Sequence, residues 1–202
     1  MTLGAAAQRQ KDRVALGAAA LSAIAAALVW MLWVVPIAAS VERAEPQPIG
    51  TSVTVELDGG QAAGIWATGR AAWLGTAECL VVGPDGSELP LTAGPSLNWE
   101  DTLWWITPRA GFEQILRFTS TSSGTYEVRC ADGLDTYDGE FLVAGDTFGA
   151  GAIGLGRGGS SDFPIGAILA FCAVVLPLFS VLIVPVIALR RLRDRRRSGR
   201  LN

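Results

Sequence analysis

The chain has 202 residues, 50% of them hydrophobic, with a mean hydropathy of +0.36 and no histidine. That composition exceeds what a water-soluble domain carries, and it removes the commonest general base, metal ligand and physiological pH switch. Charge is segregated: three bases precede residue 14 and seven follow residue 189, whereas 40–163 holds 17 acidic side chains against six arginines, a surface that repels phosphates and argues against nucleic-acid binding.

Residues 1–13, with Arg9, Lys11 and Arg13, read as a cytoplasmic start. The 26 uncharged residues of 14–39 then exceed what a hydrocarbon core of about 30 Å requires at about 1.5 Å per helical residue, so the first transmembrane helix is predicted there. Small residues dominate its first half, and Ser22 with Ala26 forms a small-xxx-small pair suited to helix packing. Trp30 and Trp33 are expected at the far interface with their indole N–H groups wet. A cleaved signal peptide ending near Ala38-Ala39-Ser40 is the rival reading; the length of the apolar run favours a retained anchor. Residues 40–50, with Pro46 and Pro48, read as a loose linker.

Over 51–145 the period changes to two. Thr51 to Leu57 places Val53, Val55 and Leu57 on one face of a strand, and Asp58-Gly59-Gly60 turns the chain. Further strands are predicted at 63–68, 77–82, 87–91, 103–107, 113–119, 125–130 and 140–144, which together argue for an all-β antiparallel sandwich or jelly-roll-like domain. Cys79 shares a face with Ala77 and Val81, and Cys130 with Tyr126 and Val128; the two are expected to pair and tie two strands through the core on the oxidising side of a membrane. Cys172 lies in an apolar run and reads as a small packing residue.

Residues 146–163 form a Gly-rich linker. Its Gly149-Ala150-Gly151-Ala152-Ile153-Gly154 spells the dinucleotide fingerprint without the strand and helix that give that motif its chemistry. The second transmembrane helix is predicted over 164–189; Pro177 and Pro185 each remove a backbone hydrogen bond from it, and Ser180 stands near to compensate. The tail 190–202 is cytoplasmic and Arg-rich. Arg190, Arg191, Arg193, Arg195, Arg196 and Arg197 set the topology and suit anionic headgroups.

No catalytic, cofactor-binding or metal-ligating set emerges from these residues. Asp132, Asp135, Asp138 and Glu140 offer hard oxygen ligands, but their spacing fits solvated turns better than a calcium loop. Trp99, Trp104 and Trp105 form the densest aromatic patch between the apolar runs, and since neighbours on a strand face opposite ways, one of Trp104 and Trp105 is a candidate for partner contact. The stretches Cys79 to Gly86 and Gly124 to Cys130, set between two apolar runs and an Arg-rich tail, resemble the small two-span membrane proteins of high-GC Gram-positive bacteria. The resemblance implies no particular activity. The expected role is a non-enzymatic subunit of the cell envelope whose partners are membrane lipid and another membrane or envelope protein, with a ligand sensor or receptor as the alternative.

Overall fold

The computed structural model describes residues 2–94, 103, 109–147 and 165–198. They divide into two compact units, Met1–Trp30 with Phe171–Asn202, and Met31–Ala170.

The first unit is helical. Helix α1 (Thr2–Val29) and helix α4 (Ile165–Ser198) extend well past the apolar runs, and the windows Gln10–Arg43 and Ile168–Arg193 are long and apolar enough to cross a membrane. On α1, Asp12, Ala19 and Ala26 are buried, and Ala15, Ser22 and Val29 are half-buried between them. That is an alternating three-and-four spacing, the seam of a left-handed helix pair. On α4 the buried positions Ala173 and Ile187 flank half-buried Ser180 at intervals of seven. Large side chains point elsewhere: Leu21 is 70% exposed and Val181 68%.

Two side chains, Arg191 and Trp30, bond across this seam. Arg191 donates from Nε and Nη2 to Asp12 Oδ2 at 3.1 and 2.9 Å. The Trp30 indole N–H donates to the Ala173 carbonyl at 3.0 Å. Ala173 lies four residues before Pro177, so its carbonyl is the one that proline leaves without a helical donor. The Trp30 N–H therefore does not stand in water as the sequence suggested; it fills a vacancy made by a proline on the other helix. Ser180 donates to the Pro177 carbonyl at 2.9 Å.

A π-helical turn (Trp30–Val34) leads into the second unit, which begins at Met31, and is followed by helix α2 (Val35–Arg43), which has Pro36 in its first turn. Widening the turn just before Pro36 gives room where a proline ring would otherwise press on the carbonyl four residues back. The strands are β1 (Gln47–Pro48), β2 (Ser52–Leu57), β3 (Ala62–Gly69), β4 (Ala77–Val82), β5 (Thr92–Ala93), β6 (Glu113–Thr119), β7 (Gly124–Asp132) and β8 (Gly139–Gly145), with a single helical turn α3 (Arg70–Trp73) after β3. They form two antiparallel sheets, β1-β8-β3-β6-β5 and β2-β7-β4. Pro48, which has no N–H to give a ladder, sits on an edge strand.

Both sheets feed one hydrophobic cluster: Ala63, Ile65 and Ala67 of β3, Phe118 of β6 and Phe141 of β8 meet Val81 of β4 and Tyr126, Val128 and Cys130 of β7. The alternation read from the sequence agrees with this at Leu57, at Val81 and at Tyr126, Val128 and Cys130. Cys79 and Cys130 form a disulfide, and they stand directly opposite each other on neighbouring strands of one sheet, with Cα atoms 4.1 Å apart. The bond thus ties adjacent strands rather than the two layers. It closes a loop of 51 residues, worth about 4 kcal/mol by chain-entropy arithmetic. The Tyr126 hydroxyl donates to the Ser122 carbonyl at 2.7 Å and accepts the Ser122 N–H at 3.1 Å, pinning the turn into β7.

Three expectations need correcting. The loose linker over 40–50 is ordered instead: 40–43 is helical and Gln47–Pro48 pairs with β8. The strand over 87–91 is reduced to one bridge between Glu88 and Val82, flanked by the Leu89 N–H to Val81 carbonyl bond at 2.9 Å, and Pro90 has no N–H with which to continue a ladder. Leu103, the described residue of 103–107, is helical and fully buried rather than extended. The glycine fingerprint lies outside the described residues.

Candidate functional site: the helix-to-sheet junction

The densest polar construction in the second unit lies where α2 meets β8. Ser40, on the last turn of α2, donates to the Ile37 carbonyl at 2.7 Å and accepts the N–H of Gly145, the last residue of β8, at 2.9 Å. A Cβ on Gly145 would stand 3.0 Å from that hydroxyl, so the approach suits glycine. The orphan carbonyls of the helix C-terminus are taken by Arg109, whose guanidinium donates to Val41, Glu42 and Ala44 at 3.2, 3.1 and 2.9 Å. A cation at that end also opposes the negative pole of the helix.

Behind this contact three buried polar side chains bond to one another. Gln114 of β6 donates to Asp146 Oδ1 at 2.8 Å, and its carbonyl oxygen accepts from the Thr147 N–H at 3.0 Å and the Thr147 hydroxyl at 2.7 Å. Arg117 Nη1 lies 3.8 Å from Asp146 Oδ2, and the Trp66 indole N–H reaches the Gly145 carbonyl at 3.2 Å. Gln114 reaches this face because the β3–β6 register slips between Ile65 and Trp66, a bulge that re-aims the strand. Gly64 leaves the space, since a Cβ there would fall 2.8 Å from Gln114 Cδ. A buried network of this kind favours one arrangement, because each lost partner strands a polar group away from water.

The network therefore holds both chain segments that run between the sheets and the helices: residues 40–44 on one side and Asp146 and Thr147 on the other. Gln114 donates to the Asp146 carboxylate, Arg117 lies beside it, and Thr147 holds the Gln114 side-chain carbonyl from the other side. Sequence reasoning missed this junction, reading 40–50 and 146–163 as loose tethers. The available signal was Gln114, which by strict alternation falls in step with Leu116 and Phe118 on an apolar strand face, and Asp146-Thr147 directly after the last strand.

Of the residues singled out from the sequence, Trp99, Trp104 and Trp105 lie outside the described residues. Arg190 and Arg193 are exposed on α4, Arg191 is committed to Asp12, and the side chains of Arg195, Arg196 and Arg197 lie outside the described ones. Asp132 is buried and ties its own loop. Its carboxyl is pulled down to about 2 by the Thr76 hydroxyl and by the N–H groups of Thr136 and Tyr137, the latter two bonded to Oδ2 at 2.7 and 2.8 Å. Among the described residues no three such side chains are grouped to hold a metal ion. The chain matches no protein-family model, and no curated protein matches it.

Proposed function

We propose that the chain is a two-span integral membrane protein of the cell envelope, with both ends in the cytoplasm and the β unit, folded as a sandwich, outside, and that it serves as a non-enzymatic interaction subunit. The observation that carries this reading is the junction: Arg109, Ser40 and the Gln114 network bind the sheets to α2, the kind of bonded mount that a display platform requires. Two helices that expose their large apolar side chains and bury small ones favour lipid as their solvent. The disulfide favours an oxidising compartment for the β unit, and the basic flanks at 9–13 and 190–197 favour cytoplasmic ends.

Purification of the full chain from native membranes in mild detergent tests the role. A stoichiometric protein partner is the expected result; a chain that purifies alone contradicts it. The sensor reading draws on the same junction, because a helix bonded to β8 moves with the sheet. Association that appears only with a small ligand present would favour the sensor.

A further inference from the structure

The end of the larger sheet remote from α2 carries side chains that the fold does not use. α2 meets β8 at Gly145, and six residue steps of about 3.3 Å put Gly139 roughly 20 Å away. There the backbones of Gly69 and Gly139 touch, so closely that a Cβ on Gly69, which has φ of 91°, would lie 2.6 Å from Gly139 Cα. β3 passes straight into α3, whose first N–H, that of Arg70, donates to the Asp138 carbonyl at 3.1 Å. Bonds from Leu74 N–H to the Arg70 carbonyl and from Thr76 N–H to the Ala71 carbonyl, both 2.9 Å, lock the turn, and Ala71 is fully buried beneath it. Yet Trp73 is 87% exposed and Leu74 56%. Gly133 N–H donates to the Thr76 carbonyl at 2.8 Å, which brings Leu134, 60% exposed, to the same end.

We propose that this knuckle is a docking surface for a partner protein that presents an apolar side chain flanked by lysine or arginine. An indole held out on a locked backbone offers large contact area at little entropic cost, the property that makes tryptophan an interface anchor. The sign of the partner follows from its surroundings: among the described residues Glu78, Asp135 and Asp138 are exposed around the apolar group against Arg70, Arg129 farther along β7 is paired with Glu127, and 40–163 holds 17 acidic side chains against six arginines. An anionic lipid surface is repelled by that rim, and a second copy would bring like charges together. The inference deepens the interaction-subunit reading and rests on it.

Photocrosslinking of the full chain in native membranes tests it, with benzoylphenylalanine in place of Trp73 and, separately, in place of Thr54, which is exposed on β2. The expected result is a crosslink from position 73 to another protein, at a peptide whose apolar residue is flanked by Lys or Arg. Its yield falls about fivefold when added salt shortens the Debye length from ~10 Å to ~3 Å. A crosslink from 73 to a second copy, to lipid alone or to an acidic peptide overturns the proposal. Silence at 73 with a partner captured from 54 overturns the docking surface and leaves the interaction role standing; silence at both removes both.

Discussion

The two units are built by opposite rules. In the helical unit Ala19, Ala26 and Ala173 are buried while Leu21, Leu28 and Val181 are more than half exposed; in the β unit Trp66, Tyr126, Phe118 and Phe141 are sealed inside. Water drives large apolar side chains together, whereas lipid tails give no such drive, and helices there associate through small residues and interhelical hydrogen bonds. The contrast is what one expects of a chain folded against two solvents.

The sharpest way to break that comparison is to truncate one large side chain on each side of it. Phe118→Ala should cost the β unit about 3–5 kcal/mol by chemical denaturation of the detergent-solubilised chain, and Leu28→Ala should change helix-unit stability by no more than about 0.5 kcal/mol. Equal losses would mean that the helices pack as a water-soluble pair. The converse change, Ala26→Leu, puts bulk onto the seam and should cost about 1–3 kcal/mol, read as loss of resistance to unfolding in detergent.

A smaller effect tests how the helices recognise each other. Trp30→Phe leaves the Ala173 carbonyl without its donor and should cost about 1 kcal/mol. In a Pro177→Ala background residue 177 regains an N–H for that carbonyl, so the same substitution should cost measurably less, and a double-mutant cycle with no coupling would contradict the assignment. The smallest effect concerns acid. Asp132 is held at about 2 against a usual value of 3.8. The stability it supplies is therefore complete above about pH 4 and is lost as pH falls through 2. Asp132→Asn should flatten that part of the acid-unfolding profile of the β unit, followed by near-ultraviolet circular dichroism.

Much of this was legible from pattern alone. Period two at Val53, Val55 and Leu57 and at Tyr126, Val128 and Cys130 identifies the core faces, because a half-buried strand has to alternate. The partnership of Cys79 with Cys130 was legible in their number and in the compartment proposed for them, but its place within one sheet depends on strand order, which no local pattern encodes. The junction was hidden for a related reason. Ser40, Arg109, Gln114 and Asp146 are ordinary polar residues scattered over more than a hundred positions, and they acquire a role only once β8 is laid beside α2. Trp73 was overlooked because Arg70 to Leu74, between Gly69 and Gly75, is too short for either period. A Trp-Leu pair between two glycines that no strand claims was the usable signal.

The whole account turns on which side of a membrane the β unit occupies. Single cysteines placed at Glu88 in an exposed turn and at Ser198 in the tail, in a Cys172→Ala background, are to be treated with a membrane-impermeant maleimide on intact spheroplasts and after lysis. The account predicts labelling of position 88 before lysis and of position 198 only after it. Labelling of 198 in intact cells, or protection of 88 until lysis, would contradict it.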